Sequence, residues 1–444
     1  MGWPEEKGAA ADPKGDLARF YPASVLETGY DILFFWVARM VMLGLEFTDK
    51  SPFHTIYMHG LVRDAQGQKM SKTTGNVIDP LETIDKFGCD ALRYSLVTGS
   101  TPGQDIPLSM ERIESNRNFA NKLWNAGKYL QNTLSTLSPE ERQALAVTGP
   151  MSRADLDALP LAERYIVSRC HELVMKVTQA LEDYDFGDAG RQIYEFLWDE
   201  YADWYIEISK TRMKNERGAL QARKVLVYVW DRCMRLLHPF MPFLTEALWQ
   251  LSPHVGDSIM TSHWPQEELE VLPVDEAAVA KFGSMQALVR AVRNARAEYN
   301  VEPAKKIAAY IVGSADMRVL LQAERAAISL LGRIDDAQLQ IVSADLLPAA
   351  MGQTVHLIVE DGLEVFLPMA ALVDSAKELL RLGKQADKLK KDIDGLESRL
   401  VSKGFADKAP ESVVNEVKGT IAEKREQLVL VDKAMAAIQA GVSA

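Results

Sequence analysis

The last 70 or so residues restrict the fold most strongly, because a heptad pattern occurs there twice. The first arm has Leu379, Leu382, Ala386, Leu389, Ile393, Leu396 and Leu400 at these positions, and the second has Val414, Val417, Ile421, Lys424, Leu428, Val431, Met435 and Ile438. This spacing places an apolar stripe along one side of each helix, and Gly404 and Pro410 interrupt the helix between the arms. The pattern predicts an antiparallel coiled-coil hairpin. An oligomerisation stalk is the commoner meaning of heptads and is the alternative.

Changes in residue pattern divide the whole chain into four parts. We predict an α/β part over residues 1–110, a helical bundle over 111–265, a small α+β module over 266–368 and the hairpin part over 369–444. Within the first part, a strand is expected from Thr55 through Val62 and a helix from Cys89 to Thr98. This alternation is typical of a parallel-sheet nucleotide fold, which binds its ligand at the carboxyl ends of the strands.

One helix of the predicted bundle has a strongly apolar face. Between Ile193 and Ile208, seven apolar or aromatic side chains recur at the spacing of a helix, which predicts burial in the bundle core. The tyrosines and tryptophans of this face could stack on bases instead, as in proteins that bind single-stranded nucleic acid. We prefer the core for most of them.

Composition is that of an ordinary globular protein, with 444 residues, 47% hydrophobic and 25% charged. Three cysteines stand far apart without a CxxC pair, so neither a disulfide framework nor a zinc site is predicted. The most apolar run, Ile32 to Phe47, is shorter than the roughly 20 residues of a membrane span and contains Arg39. We therefore expect a buried helix there, and no membrane partner.

The net charge of −12 argues against indiscriminate binding of nucleic acid, but basic residues are concentrated in two stretches. Basic residues outnumber acidic ones 8 to 2 from Lys210 to Arg235, and 8 to 5 from Lys377 to Lys403. Local basic faces suit a phosphate backbone, although most mixed-charge helices simply face solvent.

The stretch from His59 to Pro80, HGLVRDAQGQKMSKTTGNVIDP, is the most informative about chemistry. Lys69 and Lys72 place two ammonium groups around Met70 and the hydroxyl of Ser71. Lysines, hydroxyls and backbone N–H groups on a short loop can bind a polyphosphate. A solvated turn is the alternative, and most KxxK matches are that.

The string KMSKTTGNVIDP resembles the KMSKS loop of class I aminoacyl-tRNA synthetases, with Thr73 where that family usually has Ser. The segments from Thr28 to Phe47, Gly88 to Ser109 and Asn116 to Leu130 resemble valyl-tRNA synthetases. Within the second of these, Thr101-Pro-Gly-Gln-Asp-Ile106 favours the valine family over the isoleucine, leucine and methionine families.

This resemblance implies a fold class. The first part would be the α/β remnant of a Rossmann-like class I catalytic domain, and the helical part an anticodon-binding bundle. The hairpin would be a tRNA-binding arm, with Lys384, Lys388 and Lys391 off its apolar seam and facing the tRNA. No function follows for residues 266–368.

A second expected motif is missing. Class I synthetases also carry a HIGH-like phosphate-binding motif, and none of the seven histidines of this chain stands in an HxGH pattern. Valine enzymes also use an editing domain, because a hydrophobic pocket cannot strongly reject an isostere that adds a hydroxyl. We therefore expect a C-terminal portion that lacks both and is catalytically incomplete by itself.

The chemistry implied by the family is activation of valine by ATP to valyl adenylate, followed by transfer to tRNA. Catalysis would rest on positioning and on neutralising the pyrophosphate charge, so Lys69 and Lys72 are the expected catalytic residues. Magnesium would arrive with ATP, and no metal bound by the protein is expected.

The remaining site residues follow by resemblance. His59, Gly60, Leu61 and Val62 match the strand end where adenine binds, and for His59 a purely structural role is the alternative. Thr28, Gly29 and Asp31 match the segment near the adenylate ribose and ammonium group, and Trp36 matches a wall of the valine pocket, although in isolation it suggests core.

Expected partners are valine tRNA, ATP and valine. We expect a monomer in the cytoplasm, with an organelle as the alternative compartment. Two alternatives for function stay open: a non-catalytic tRNA-binding fragment or paralogue, and a synthetase for isoleucine, leucine or methionine.

Overall fold

A computed structural model gives the structure of the protein. It describes residues 15–71, 73–147, 149–214, 216–266, 272–347, 353–372, 375–402 and 411–442. The chain separates into two compact units, Met1–Val279 and Ala280–Ala444. Lys72 and the residues predicted to break the hairpin, Gly404 and Pro410, lie outside the described residues, as do the side chains of Leu379 and Ile438.

The first unit begins with two pairs of short parallel strands. Strands β1 (Ala23–Gly29) and β2 (Phe53–His59) pair with each other, and β3 (Val62–Arg63) pairs with β4 (Ile106–Pro107). The helices of this region are α1 (Asp16–Phe20), α2 (Ala38–Thr48), α3 (Pro80–Phe87) and α4 (Cys89–Val97). A 3₁₀ turn (Tyr30–Ile32) and a π-helical turn (Leu33–Val37) lead into α2.

The predicted strand from Thr55 through Val62 is interrupted at Gly60. A Cβ on Gly60 would lie 1.6 Å from the carbonyl oxygen of Gln104, so only glycine fits where these two backbones meet. Strand β2 ends at His59, and the chain after Gly60 forms β3, which pairs with β4.

Helices form the rest of the first unit. They are α5 (Met110–Leu134), α6 (Pro139–Gln143), α7 (Arg153–Asp157), α8 (Leu161–Glu182), α9 (Phe186–Glu195), α10 (Glu207–Arg212), α11 (Glu216–Leu237) and α12 (Pro242–Gln250). A π-helical segment, Phe196–Ile206, joins α9 to α10. Helix α11 ends at Leu237, before Pro239, and Pro242 is the first residue of α12.

The bundle core contains the apolar face predicted between Ile193 and Ile208. All seven predicted side chains are buried, namely Ile193, Phe196, Leu197, Tyr201, Trp204, Tyr205 and Ile208. The prediction that this face belongs to the core is confirmed. The periodic burial arises because the side chains of successive turns meet the same neighbouring helices.

The run from Ile32 to Phe47 was expected to be a buried helix, and this expectation is wrong. Its α-helical part, α2, has no buried residue, and Phe34 and Met42 are 92% and 68% exposed. Of this run only Val37 is buried. No described helix is both long and apolar enough to cross a membrane.

The second unit contains a four-stranded sheet in the order β6-β5-β8-β7. Its strands are β5 (Ile307–Gly313), β6 (Ile334–Val342), β7 (Thr354–Glu360) and β8 (Leu363–Pro368). Strands β5 and β6 are parallel, and the other pairs are antiparallel. The helices here are α13 (Glu276–Glu298), which begins before this unit, α14 (Ala315–Ala323), α15 (Arg325–Gly332) and α16 (Met369–Leu372).

Two long helices end the chain, α17 (Ser375–Val401) and α18 (Glu411–Val442). Leu382 and Leu389 of α17 form a cluster with Val431 of α18, whereas Ile393, further along α17, clusters with Ile421. The two helices therefore run in opposite directions with seam residues between them. Lys424, the polar seam residue, lies 2.8 Å from Asp392 of α17.

Candidate functional site

The end of β2 brings together several residues predicted to bind the adenylate. Gly29 pairs with His59 across the β1–β2 ladder, and a Cβ on Gly29 would lie 2.7 Å from Asp31 and 3.5 Å from the His59 ring. Thr28 is buried next to them. The three residues predicted on β1 and the turn after it thus lie beside His59.

His59 also has structural partners. Its Nδ1 lies 2.8 Å from the carbonyl oxygen of Gly60, and its Nε2 lies 3.2 Å from Glu27. The side chain keeps 38% of its surface exposed. The ring is held at the strand end and is partly open to solvent.

Asp105 holds the segment that follows His59. Its Oδ1 accepts a hydrogen bond of 2.8 Å from the Leu61 backbone N–H, and its Oδ2 accepts one from the Arg63 guanidinium. The Ile106 N–H donates to the Leu61 carbonyl at 2.9 Å. Both backbone groups of Leu61 are therefore occupied, and the hydrogen bond from Leu61, the largest cause, lowers the pKa of Asp105.

Trp36, the residue predicted to line the valine pocket, is largely exposed, with 53% of its surface open to solvent. Its ring meets the Phe35 ring edge-on at 5.5 Å, and the Arg39 guanidinium lies 3.8 Å above Phe35. The suggestion from isolated sequence that Trp36 is core is wrong.

The predicted phosphate-binding loop, which we call the Lys69 loop (residues 64–76), follows β3 directly. Gly67 takes a positive φ of 77° in its first turn, and Arg63 forms an isolated bridge with Lys69. Lys69 is exposed, whereas Met70 packs against a cluster that includes Phe87 and Leu92. The described residues of the tip are joined by hydrogen bonds among their own side chains.

Within the Lys69 loop, hydroxyl groups bond to one another. Ser71 Oγ lies 2.9 Å from Thr73 Oγ1, and the Thr74 N–H donates to Ser71 Oγ at 3.2 Å. Asn76 accepts from the Ser71 N–H at 3.0 Å and donates to Asp64 at 2.8 Å. Lys72, the other predicted catalytic lysine, lies outside the described residues.

The three predicted tRNA-binding lysines, Lys384, Lys388 and Lys391, are all exposed on α17. The second basic stretch, Lys210 to Arg235, is less uniform than its composition suggests. Arg212 pairs with buried Glu163, and Arg235 pairs with Asp231 inside the bundle. Part of that stretch therefore serves the core.

Three functional candidates were not identified from sequence: Asp64, Asn76 and Asp105. Each accepts hydrogen bonds from the backbone of the strand end or of the Lys69 loop. Asp64 precedes Gly67 by three residues, a turn signal that could have identified it. For Asp105, which bonds a residue 44 positions away, no local signal exists. Among the described residues, no group of three acidic, cysteine or histidine side chains could hold a metal ion.

Three family models match the chain in order. They are tRNA synthetases class I (I, L, M and V) over residues 1–109, the anticodon-binding domain of tRNA ligase over 163–311, and the valyl tRNA synthetase tRNA binding arm over 374–439. The last contains most of α17 and α18.

Similar curated proteins include the chloroplastic/mitochondrial valine--tRNA ligase 2 of Arabidopsis thaliana, 46% identical over 97% of this chain and 43% of that protein. The valine--tRNA ligase of Bacillus subtilis is 42% identical over 94% of this chain and 45% of its own length. The chain thus spans less than half the length of these relatives. A solved structure, methionyl-tRNA synthetase of Mycobacterium tuberculosis with methionyl-adenylate, is 23% identical with a TM-score of 0.43 and covers 54% of this chain and 46% of that one.

Proposed function

Because this chain belongs to the valine--tRNA ligase family of class I tRNA synthetases, we propose that it supplies the Lys69 loop and the tRNA-binding parts of an enzyme that joins valine to its tRNA. One observation carries the proposal. The Lys69 loop follows β3, which begins three residues after the strand end at which His59, Gly29 and Asp31 meet. A nucleotide at that strand end would present its phosphates toward the loop.

In this proposal, ATP activates the valine carboxylate and the acyl group then passes to tRNA. Lys69 and Lys72 neutralise charge on the departing pyrophosphate, with Ser71 and the Met70 backbone as further contacts and Mg²⁺ carried in with ATP. No protein nucleophile is needed, because alignment of the two reactants lowers the barrier. Lys72 is the more important of the two lysines.

Around the nucleotide, His59, Gly60, Leu61 and Val62 meet the adenine ring. The hydrogen bonds of Leu61 to Asp105 and to the Ile106 N–H keep the strand end in place. Thr28, Gly29 and Asp31 lie toward the ribose and the valine ammonium group. Trp36 forms an apolar wall for the valine side chain, and its exposed ring is free to do so.

We further propose that this chain by itself binds tRNA without activating valine. It has no HIGH-like motif among its histidines, and its relatives are more than twice as long. Valine-dependent exchange of pyrophosphate into ATP should stay at background with purified protein. Exchange above background that disappears in Lys72→Ala would refute this part of the proposal.

Helices α17 and α18 form an antiparallel coiled-coil hairpin that holds the tRNA backbone. Lys384, Lys388 and Lys391 are exposed, and none belongs to the seam clusters, so all three could contact phosphates without disturbing the helix pair. The four-part division of the chain, a monomeric state and a cytoplasmic location complete the proposal.

Charge reversal at these lysines tests the hairpin role. Replacing all three by Glu should weaken tRNA binding and lower the slope of log affinity against log salt by about 0.7 to 0.9 per lost phosphate contact. The matched control is Lys50→Glu with Lys86→Glu and Arg19→Glu, which changes net charge equally at exposed positions outside the anticodon-binding and tRNA-binding-arm matches. Discrimination for valine tRNA should change less, because phosphate contacts position and base contacts specify.

Two results would contradict the hairpin role. One is an equal loss of affinity in the control, which would indicate a general charge effect. The other is that removal of residues 375–442 leaves tRNA affinity intact and converts a dimer into a monomer, which would make the hairpin an oligomerisation element.

A further inference from the structure

We propose that Asp64 and Asn76 are a positioning pair that fixes the two ends of the Lys69 loop while its tip rearranges around a polyphosphate. The inference rests on the proposed function, in which this loop takes the phosphates of ATP. Neither side chain contacts the reacting atoms in this scheme. Both act through the residues that do.

Asp64 organises the first turn of the loop. Its Oδ1 accepts hydrogen bonds from the backbone N–H groups of Gln66 and Gln68, at 3.1 Å and 2.7 Å. Its Oδ2 accepts from the side-chain amide of Asn76 at 2.8 Å. One carboxylate thus joins the beginning of the loop to its end.

Asn76 organises the second half. Its Oδ1 accepts from the Ser71 N–H at 3.0 Å and from the Thr74 hydroxyl at 2.8 Å. Its amide also donates to the Lys69 carbonyl at 3.3 Å. A single side chain therefore binds the backbone of Lys69 and of Ser71, the residues on either side of Met70.

The loop is attached to the body of the first unit just before it begins and at Met70. The Arg63 carbonyl accepts from the Leu108 N–H at 2.9 Å, and Met70 packs against the cluster that contains Phe87 and Leu92. Among the described residues of the tip, the hydroxyls of Ser71, Thr73 and Thr74 bond one another, and Asn76 joins Ser71 and Thr74 to the end of the loop. A phosphate that binds these hydroxyls would replace contacts between them, whereas the Asp64–Asn76 contact can persist.

The pair also keeps Asp64 in its acceptor form. The hydrogen bond from Asn76, the largest cause, lowers the pKa of the Asp64 carboxyl, so both of its oxygens remain available to accept hydrogen bonds. An amide is the suitable partner, because it donates to Asp64 and accepts from Ser71 with the same side chain. A carboxylate at position 76 would place two negative charges in contact.

Amide hydrogen exchange in the full chain tests the pair. Asn76→Ala should speed exchange at Gln68 and Ser71 by about tenfold or more while the melting temperature stays unchanged, since only a surface loop opens. Asn76→Asp should speed it further. The double variant Asp64→Asn with Asn76→Asp restores one carboxylate and one amide and should return exchange close to the wild-type rate. Gln66→Ala, which keeps its backbone N–H, is the matched control.

Binding of inorganic pyrophosphate with Mg²⁺ gives the second readout. Asn76→Ala and Asn76→Asp should weaken binding, and the double variant should recover it. Equal exchange in Asn76→Ala and Gln66→Ala, no recovery in the double variant, or faster exchange with unchanged pyrophosphate affinity would each overturn the proposal. If the wild-type chain binds no pyrophosphate, the proposed phosphate binding by the loop is wrong, and the positioning role that depends on it is wrong too. This holds even if hydrogen exchange shows that Asp64 and Asn76 order the loop.

Discussion

The helical bundle (α5–α12) and the region before it (residues 15–109) treat their large apolar side chains differently. In the bundle, Phe119 and Trp230 are 0% and 1% exposed. In the earlier region, Phe34, Trp36 and Met42 all keep more than half of their surface in solvent. Among the described residues, the bundle core is closed, with Tyr94 of α4 packed against Phe119, whereas the face formed by α2 and the turn before it meets no equivalent surface.

The strands of the earlier region are exposed in the same way. Parallel strands are normally covered on both faces, yet most residues of β1 and β2 are exposed or half-buried, and the two strands pair only with each other among the described residues. The comparison teaches that an apolar segment has a preference for burial, which is met only where another segment covers it.

The largest expected effect is loss of a bundle core ring. Phe119→Ala should lower the free energy of unfolding by about 3 to 5 kcal/mol, because a fully buried ring between Tyr94 and Tyr194 leaves a cavity. Urea unfolding followed by tryptophan fluorescence measures it. A loss below 1 kcal/mol would mean that side chains in the bundle core are packed no more tightly than those of the region before it.

A pH effect of comparable size should arise from His171. Burial, the largest cause, lowers its pKa to about 4, and the ring bonds the Pro273 carbonyl at 2.6 Å and the Tyr228 hydroxyl at 2.7 Å. The unfolded chain takes up a proton near pH 6.5 and the folded chain only near pH 4. Stability is therefore full above pH 6.5 and falls toward pH 4, by about 3 kcal/mol from this group.

Comparison with His171→Gln isolates that contribution. The wild-type protein should be the more stable at pH 7, and the gap in free energy of unfolding between the two should narrow as the pH falls from 6.5 to 4. A constant gap across this range would show that His171 titrates normally and is less enclosed than the bundle core implies.

A smaller effect should come from the junction of the two regions. Asp90 of α4 is buried and accepts hydrogen bonds from the N–H groups of Leu244 and Phe243, at 2.6 Å and 3.4 Å, at the start of α12. Asp90→Ala should cost about 1 to 2 kcal/mol, as for loss of a helix N-cap. Asp90→Asn keeps an acceptor and should cost less in the same urea titration. Equal costs would indicate that packing, not the cap, joins α4 to the bundle.

The smallest effect on stability should come from the exposed face. Phe34→Ala, the match to Phe119→Ala, should change the free energy of unfolding by less than about 0.5 kcal/mol, because the ring is 92% exposed. The fluorescence of a hydrophobic dye bound to the folded protein should fall, since that dye reports exposed apolar surface. A loss of stability like that of Phe119→Ala would show that something covers this face.

The sequence by itself determined the elements and their periodicity. Spacing identified the buried face between Ile193 and Ile208 and the helix α4. Residues one turn apart lie on the same face of a helix, whatever that face packs against. The Lys69 loop was likewise identifiable, since lysines, a hydroxyl and glycines stand together along the chain. These are properties of short range in sequence.

Only the tertiary structure decided which of these surfaces meet. The partner of Leu61 is Asp105, and Gly60 is required because the backbone at Gln104 passes within van der Waals contact, across more than 40 residues of chain. The exposure of α2 was equally hidden, because an apolar run states a preference for burial and not whether a covering surface exists. Contacts between distant segments depend on the path of the whole chain, and that path cannot be derived from local composition.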